Sequence, residues 1–213
     1  MNFQITIDDL KKIEAGIHEK YISVAKSPEG HFKYPTGKKA FEALNYDKNL
    51  IDELPAAVAS CYCGVGNPFS LGNINEGEQI LDIGCDAGVD TILAAIIVGS
   101  KGSVIGVDIV PEMIARAQSN LKMMYLDNVK FQKGSGENLP FSDEIFDVVI
   151  SNGVINLMPD KEAALSEIIR VLKPGGRLMV ADQVAAGSVQ KDIKARLAIF
   201  IYQRSYCYYS VQL

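Results

Sequence analysis

A chain of 213 residues, 48% hydrophobic and 22% charged, suits one globular domain with a small addition, and can bury a core of ordinary size. A net charge of -5 argues against a nucleic-acid partner, which needs a basic footprint. The opening "MNFQITIDDLKK" lacks a secretory pattern, and the apolar run Thr91 to Gly99 is too short to span a bilayer, so no membrane and a cytoplasmic location are expected.

In chain order, Ile7, Leu10, Ile13, Ile17, Tyr21 and Val24 recur at helical steps and predict an amphipathic helix over residues 6–25. "KSPEGHFKYPTGKKAF", Lys26 to Phe41, reads as an ordered loop or lid, and a short helix is expected from Leu50 to Ser60. Cys61 and Cys63 form a C-x-C pair, with Cys85 and Cys207 distant; with only His18 and His31 to assist, reduced thiols and no structural metal are expected. From Glu78 onward strands alternate with helices. "QILDIG", "SVIGVDI", "VKFQKG", "FDVVISN" and "PGGRLMVADQV" supply the strands, the last led by a turn. Val89 to Val98, "PEMIARAQSNLKMM" and "DKEAALSEIIRVL" supply the helices. Crossovers of this kind imply a parallel sheet covered on both faces, with chemistry in the loops after the strands.

"DIGCDAGVD", Asp82 to Asp90, sits where the first strand hands over to a helix. Glycine there lets the backbone turn and approach a ligand, and the helix N-terminus offers free N–H groups. About twenty residues past Gly88, Asp108 ends the next strand, where a carboxylate can accept both hydroxyls of a ribose. A glycine turn with a downstream acid is shared by NAD, FAD and nucleoside binders.

Asp82 before the first glycine, "VDIVPEMIARAQ" after the ribose acid and "RVLKPGGRLMVAD" together resemble the class I S-adenosylmethionine-dependent methyltransferases over roughly residues 78–184. The resemblance implies a Rossmann-like α/β fold, with S-adenosyl-L-methionine as cofactor. It implies that Gly84, Cys85 and Gly88 line the methionine part, with Asp82 supporting that loop. Asp108 would hold the ribose, and Ile109 and Met113 would lie along the adenine. Ser135, Gly136 and Glu137 would address the adenine edge, and Asn152 the methionine amino group near the methyl-transfer centre. Asp86 replaces the usual middle glycine. Aspartate tolerates left-handed backbone, and its carboxylate either faces the cofactor ammonium or points to solvent. No fixed catalytic residue is implied, because a sulfonium methyl is already activated and orientation supplies much of the rest.

"CGVGNPFSLG" and "VVISNGVINLMPDK" resemble, more narrowly, segments of the arsenite methyltransferases, in which each carries an arsenic-binding cysteine. The matching positions here are Val65 and Gly153, so a soft metalloid lacks its thiolates and a different small-molecule acceptor is expected. The readings kept open are a displaced Cys61/Cys63 pair, a cofactor-binding protein without turnover, and a dehydrogenase.

Residues 1–70 are expected to form a helical lid or cap, with Phe32, Tyr34 or Tyr62 either near the sulfonium or simply packing, and 71–213 the cofactor domain. After Val184, "GSVQKDIKARLAIFIYQRS" predicts one helix and "YCYYSVQL" one strand. That is too little for the reversed strand pair of the family, so an incomplete C-terminal end is expected, with a homodimer or a self-covered tail shielding the edge.

Overall fold

The computed structural model describes residues 7–183 and 208–212. Five parallel strands form its centre: β1 (Gln79–Ile83), β2 (Ser103–Asp108), β3 (Val129–Lys133), β4 (Phe146–Asn152) and β5 (Leu172–Gln183). They lie in the order β3-β2-β1-β4-β5, and β6 (Tyr208–Gln212) pairs antiparallel with β5, Val180 opposite Val211. β1 and β4 bury nearly every residue, as strands covered on both faces must.

Helices follow the strands. α5 (Val89–Val98) packs between β1 and β2, and its residues are apolar almost all round because the sheet meets one side and other helices the rest. α6 (Pro111–Leu121) starts with proline in its first turn, where no N–H is missed. α7 (Lys161–Val171) is capped by Asp160, whose side chain accepts from the Ala163 N–H. The sheet divides the core. One cluster holds Ile92, Leu93, Val148 and Ile150 together with Phe41, Tyr46 and Tyr62 from the N-terminal segment; the opposite one holds Leu81, Val149, Ile168 and Val171.

The first helix, α1 (Ile7–Val24), buries Ile13, Ile17, Tyr21 and Val24, four of the six positions expected to form its apolar stripe. The next segment differs from expectation. The loop ends in α2 (Lys38–Ala43), too short to show a period in sequence, and the single helix expected from Leu50 to Ser60 is two, α3 (Lys48–Asp52) and α4 (Ala56–Ala59). Pro55 divides them: it has no N–H to give, and it biases Leu54 away from helix. β5 begins before the Pro-Gly-Gly turn rather than after it. The turn is absorbed as an irregularity, with the β4–β5 register shifting between Phe146 and Val148.

The expected strand near the C-terminus is β6; the expected helix before it and Cys207 lie outside the described residues. Among the described residues, no helix is long and apolar enough to cross a membrane.

Candidate functional site

Strand order reverses between β1 and β4, which are paired through Ile80–Val148 to Ile83–Ser151. The crevice beyond the carboxyl ends of such strands is where open α/β sheets take ligands. A cavity of ≈ 690 Å³ lies there, and α1 forms its far wall through Glu14, His18 and Tyr21. Of the residues singled out in the sequence, Gly84, Asp108, Ile109, Ser135, Gly136 and Glu137 line this cavity. Asp82, Cys85 and Asn152 line instead a space of ≈ 20 Å³ behind it, which shares Gly84 and Asp86 with the larger cavity.

Two residues lie elsewhere. Met113 is fully buried in a cluster with Ile13, Ile17 and Tyr21, so it seats α1 against α6. Gly88 caps α5 in the left-handed region (φ 79°), and a Cβ there would come within 2.5 Å of Phe131 Cζ. Its glycine is needed by packing as well as by the turn.

Asp108 is 6% exposed; its Oδ1 accepts from Val110 N–H at 2.8 Å and its Oδ2 from Asp86 N–H at 3.0 Å. Burial raises its pKa, and the backbone donors Val110, Asp86 and Ile109 moderate that rise. A carboxylate has about four acceptor positions, so about one remains for a ribose hydroxyl. Asp82 accepts from Thr91 Oγ at 2.6 Å and ties β1 to α5. Glu137 accepts from the Asp160 N–H at 2.6 Å, which fixes the loop after β3 to the start of α7. Sequence reasoning assigned no role to the apolar wall from Val154, Leu157 and Met158, although they stand in the quoted segment after β4.

Asn152 has a role the sequence did not signal. Its Oδ1 accepts from Val65 N–H (2.9 Å) and Gly66 N–H (3.0 Å), and its Nδ2 donates to Asp90 (2.8 Å) and to the Gly66 carbonyl (2.8 Å). Tyr46 Oη also donates to Asp90, at 2.9 Å, and lies 2.8 Å from Tyr62 Oη. Burial lifts Asp90 to about 6, against the pull of Asn152 and Tyr46. Phe32 is stacked near Tyr34 with Lys20 Nζ 4.5 Å above its ring, and Tyr62 packs on Phe41. The two thiols of the C-x-C pair face different partners. Cys61 takes a two-pronged contact from Arg116 at 3.1 and 3.2 Å, and Cys63 donates to Asp86 at 3.2 Å.

Asp86 holds the left-handed conformation (φ 48°), and its carboxylate turns inward to the cavity. Burial and the Asp108 charge push it up to about 8, opposed by Cys63 and Lys20. An unfolded aspartate ionises near ~4, so between about 4 and 8 the folded chain carries a proton the unfolded chain has lost, and stability falls as pH rises through that window. Asp82, Asp90 and Asp108, also raised, act in the same direction. The Tm of the ligand-free protein is therefore expected to drop by several degrees between about pH 5 and 8, and to drop less in Asp86→Asn. Equal slopes in thermal melts of the two proteins would refute the inward placement of that carboxylate.

The comparisons with known proteins agree with this geometry. Residues 74–203 match the model of a methyltransferase domain family. The chain belongs to that family. It is 41% identical over 153 residues to an arsenite methyltransferase of Halobacterium salinarum, covering 72% of this chain and 39% of that relative. It is 32% identical over 203 residues to the arsenite methyltransferase of Mus musculus, covering 90% and 53%. Among solved structures, the arsenic(III) S-adenosylmethionine methyltransferase of Chlamydomonas reinhardtii superposes with a TM-score of 0.59 at 32% identity, covering 78% of this chain and 55% of that one. The chain thus spans about two-fifths to one-half of the length of these curated relatives.

Within this chain, the two positions that the sequence resemblance matches to arsenic-binding cysteines, Val65 and Gly153, are brought together. A Cβ on Gly153 would lie 3.0 Å from Val65 Cγ1.

The cavity fits S-adenosylmethionine, the cofactor of class I methyltransferases. Its volume suits a ligand of that size, and Asp108 presents acceptor capacity inward. Gly84 (φ 71°) leaves open a space that a Cβ would occupy within 2.3 Å of Val154.

Proposed function

We propose that the chain binds S-adenosyl-L-methionine in the ≈ 690 Å³ cavity and methylates a small-molecule acceptor. The observation that carries this reading is the buried Asp108 carboxylate, held by the backbone N–H groups of Val110, Asp86 and Ile109 and facing the cavity at the strand-order reversal. When bound, the cofactor supplies a methyl group already activated by the positive charge on sulfur.

The chain's own work is then to hold, orient and exclude water. Asp108 accepts from a ribose hydroxyl, and Ile109, Val154, Leu157 and Met158 cover the adenine while Ser135 and Gly136 offer backbone groups to its edge. Asp86 sets a negative charge beside the cationic end of the ligand, where Coulomb attraction favours binding and pulls its own pKa down. In this reading residues 1–70 serve as a helical lid and 71–213 as the cofactor domain. Orientation alone can supply about 7–11 kcal/mol toward such a transfer.

Titration calorimetry with S-adenosylhomocysteine and with NAD tests the reading. Micromolar binding of the first and none of the second is expected. A protein that takes up NAD, or leaves S-adenosylhomocysteine unbound at millimolar concentration, refutes it.

A further inference from the structure

Residues 134–145 run between β3 and β4 and include Ser135, Gly136 and Glu137, which line the ≈ 690 Å³ cavity. The bonds within the segment's first turn are local: Asn138 N–H donates to the Ser135 carbonyl at 3.1 Å and Glu137 N–H to Ser135 Oγ at 3.2 Å. The polar backbone that follows must find its partners elsewhere. It finds them on α7.

Arg170, in the last turn of α7, spreads its guanidinium across the segment. Nη1 donates to the Phe141 carbonyl and to Asp143 Oδ1, both at 2.7 Å, and Nη2 to the Leu139 carbonyl at 3.1 Å. Nε and Nη2 also meet the two oxygens of Glu167 at 2.7 Å each, and Glu167 Oε2 accepts from the Leu139 N–H at 2.7 Å. The start of α7 adds a further tie, from the Asp160 N–H to Glu137. The helix itself is seated by the buried Ala164, Ile168 and Val171, in the cluster that also takes Leu139.

Arg170 and Glu167 stand outside the lining of the cavity, and their side chains are 30% and 19% exposed. Ion pairs so near solvent contribute little to global stability. A planar fork is suited to fixing direction instead, because two carbonyls and two carboxylates are met at once in one geometry only. The cavity end of the segment has no slack: a Cβ on Gly136 would lie 2.5 Å from Met158 Cε. A small slip therefore moves the backbone groups against the apolar wall that meets the ligand.

Resting on the methyl-transfer reading, in which Ser135 and Gly136 offer backbone groups to the adenine edge, we propose that Arg170, held by Glu167, is a positioning residue for base recognition. It sets the register of that edge, and with it the preference for adenine over a purine of opposite hydrogen-bonding pattern. Adenine presents an amino donor beside a ring-nitrogen acceptor, whereas hypoxanthine presents an oxo acceptor beside an N–H donor. Backbone groups fixed in place match the first and oppose the second, and a buried mismatch costs more than a bond not formed. A segment free to shift accommodates both.

Titration calorimetry with S-adenosylhomocysteine and S-inosylhomocysteine, which differ only at the base, tests this. The unaltered chain is expected to prefer the adenosyl compound by about 10- to 100-fold. In Arg170→Ala that preference is expected to shrink to within about threefold, through weaker binding of the adenosyl compound. Arg170→Lys, a point charge without the fork, should not restore it. Glu167→Gln leaves one accepting oxygen for both Arg170 and the Leu139 N–H, and should narrow the preference as well. Lys173→Ala is the control: it breaks the Lys173–Asp147 pair, of similar exposure and outside this segment, and should keep the full preference. Full preference in either Arg170 variant overturns the proposal, and Glu167→Gln decides in the same way if those variants fail to fold. An unaltered chain that takes both compounds alike, or an equal loss in Lys173→Ala, overturns it too. Failure of the unaltered chain to bind S-adenosylhomocysteine removes the underlying reading instead.

Discussion

Asp108→Asn is expected to raise the Kd for S-adenosylhomocysteine by about 10- to 100-fold while leaving the fold intact. The carboxylate uses about three of its roughly four acceptor positions on the N–H groups of Val110, Asp86 and Ile109 and turns the rest to the cavity. A hydrogen bond from a ribose hydroxyl to a charged acceptor contributes about 1.5–3 kcal/mol, which spans ~10- to 100-fold in affinity. Asparagine keeps one accepting oxygen, but its NH₂ must face one of the backbone donors, leaving that amide unmatched at a cost of about 1–3 kcal/mol. Calorimetry measures the first effect and a thermal melt the second. A Kd within about threefold of the unaltered protein would show that Asp108 does not touch the ligand.

The largest effect on stability is expected from Asn152→Ala. One side chain there accepts from the N–H groups of Val65 and Gly66, and its two N–H hydrogens are shared among Asp90, the Gly66 carbonyl and the hydroxyls of Tyr46 and Tyr62. Truncation strands the buried Val65 N–H and removes a donor from a buried carboxylate. Each unmatched group costs about 1–3 kcal/mol, so a loss of about 3–5 kcal/mol is expected, or ~6–20 °C in Tm. That is a large share of a total stability of about 5–15 kcal/mol. Asn152→Asp keeps the accepting oxygen but sets a second carboxylate against Asp90, and is expected to be nearly as damaging as alanine at neutral pH and milder in acid. Urea titrations at two pH values separate the two mechanisms. A loss under about 1 kcal/mol for Asn152→Ala would mean that the segment is held by something else.

The central strands and α5 were legible because buried strands and an all-round apolar helix have distinct lengths and punctuation. Val89 to Val98 was read to the residue. Six of the site residues reached the main cavity because the loops after parallel strands converge there whatever their side chains. The remainder turned on side-chain direction, which spacing along one chain does not carry. Met113 follows the ribose acid as expected, yet the helical turn beginning at Pro111 points it at Ile13 and Ile17. Tyr46, Asp90 and Asn152 are far apart in sequence, and only the close packing of the N-terminal segment on β4 and α5 makes them one network. Pro55 was visible, and its power to split a short helix outweighed the apolar spacing around it.

The amide of Asn152 has a further consequence. It joins β4, which borders the cofactor space, to Val65 and Gly66, which line a separate cavity of ≈ 390 Å³. A displacement of Val65 and Gly66 therefore loads the end of β4 through a single amide, so the N-terminal segment and the floor of the cofactor space move as one body.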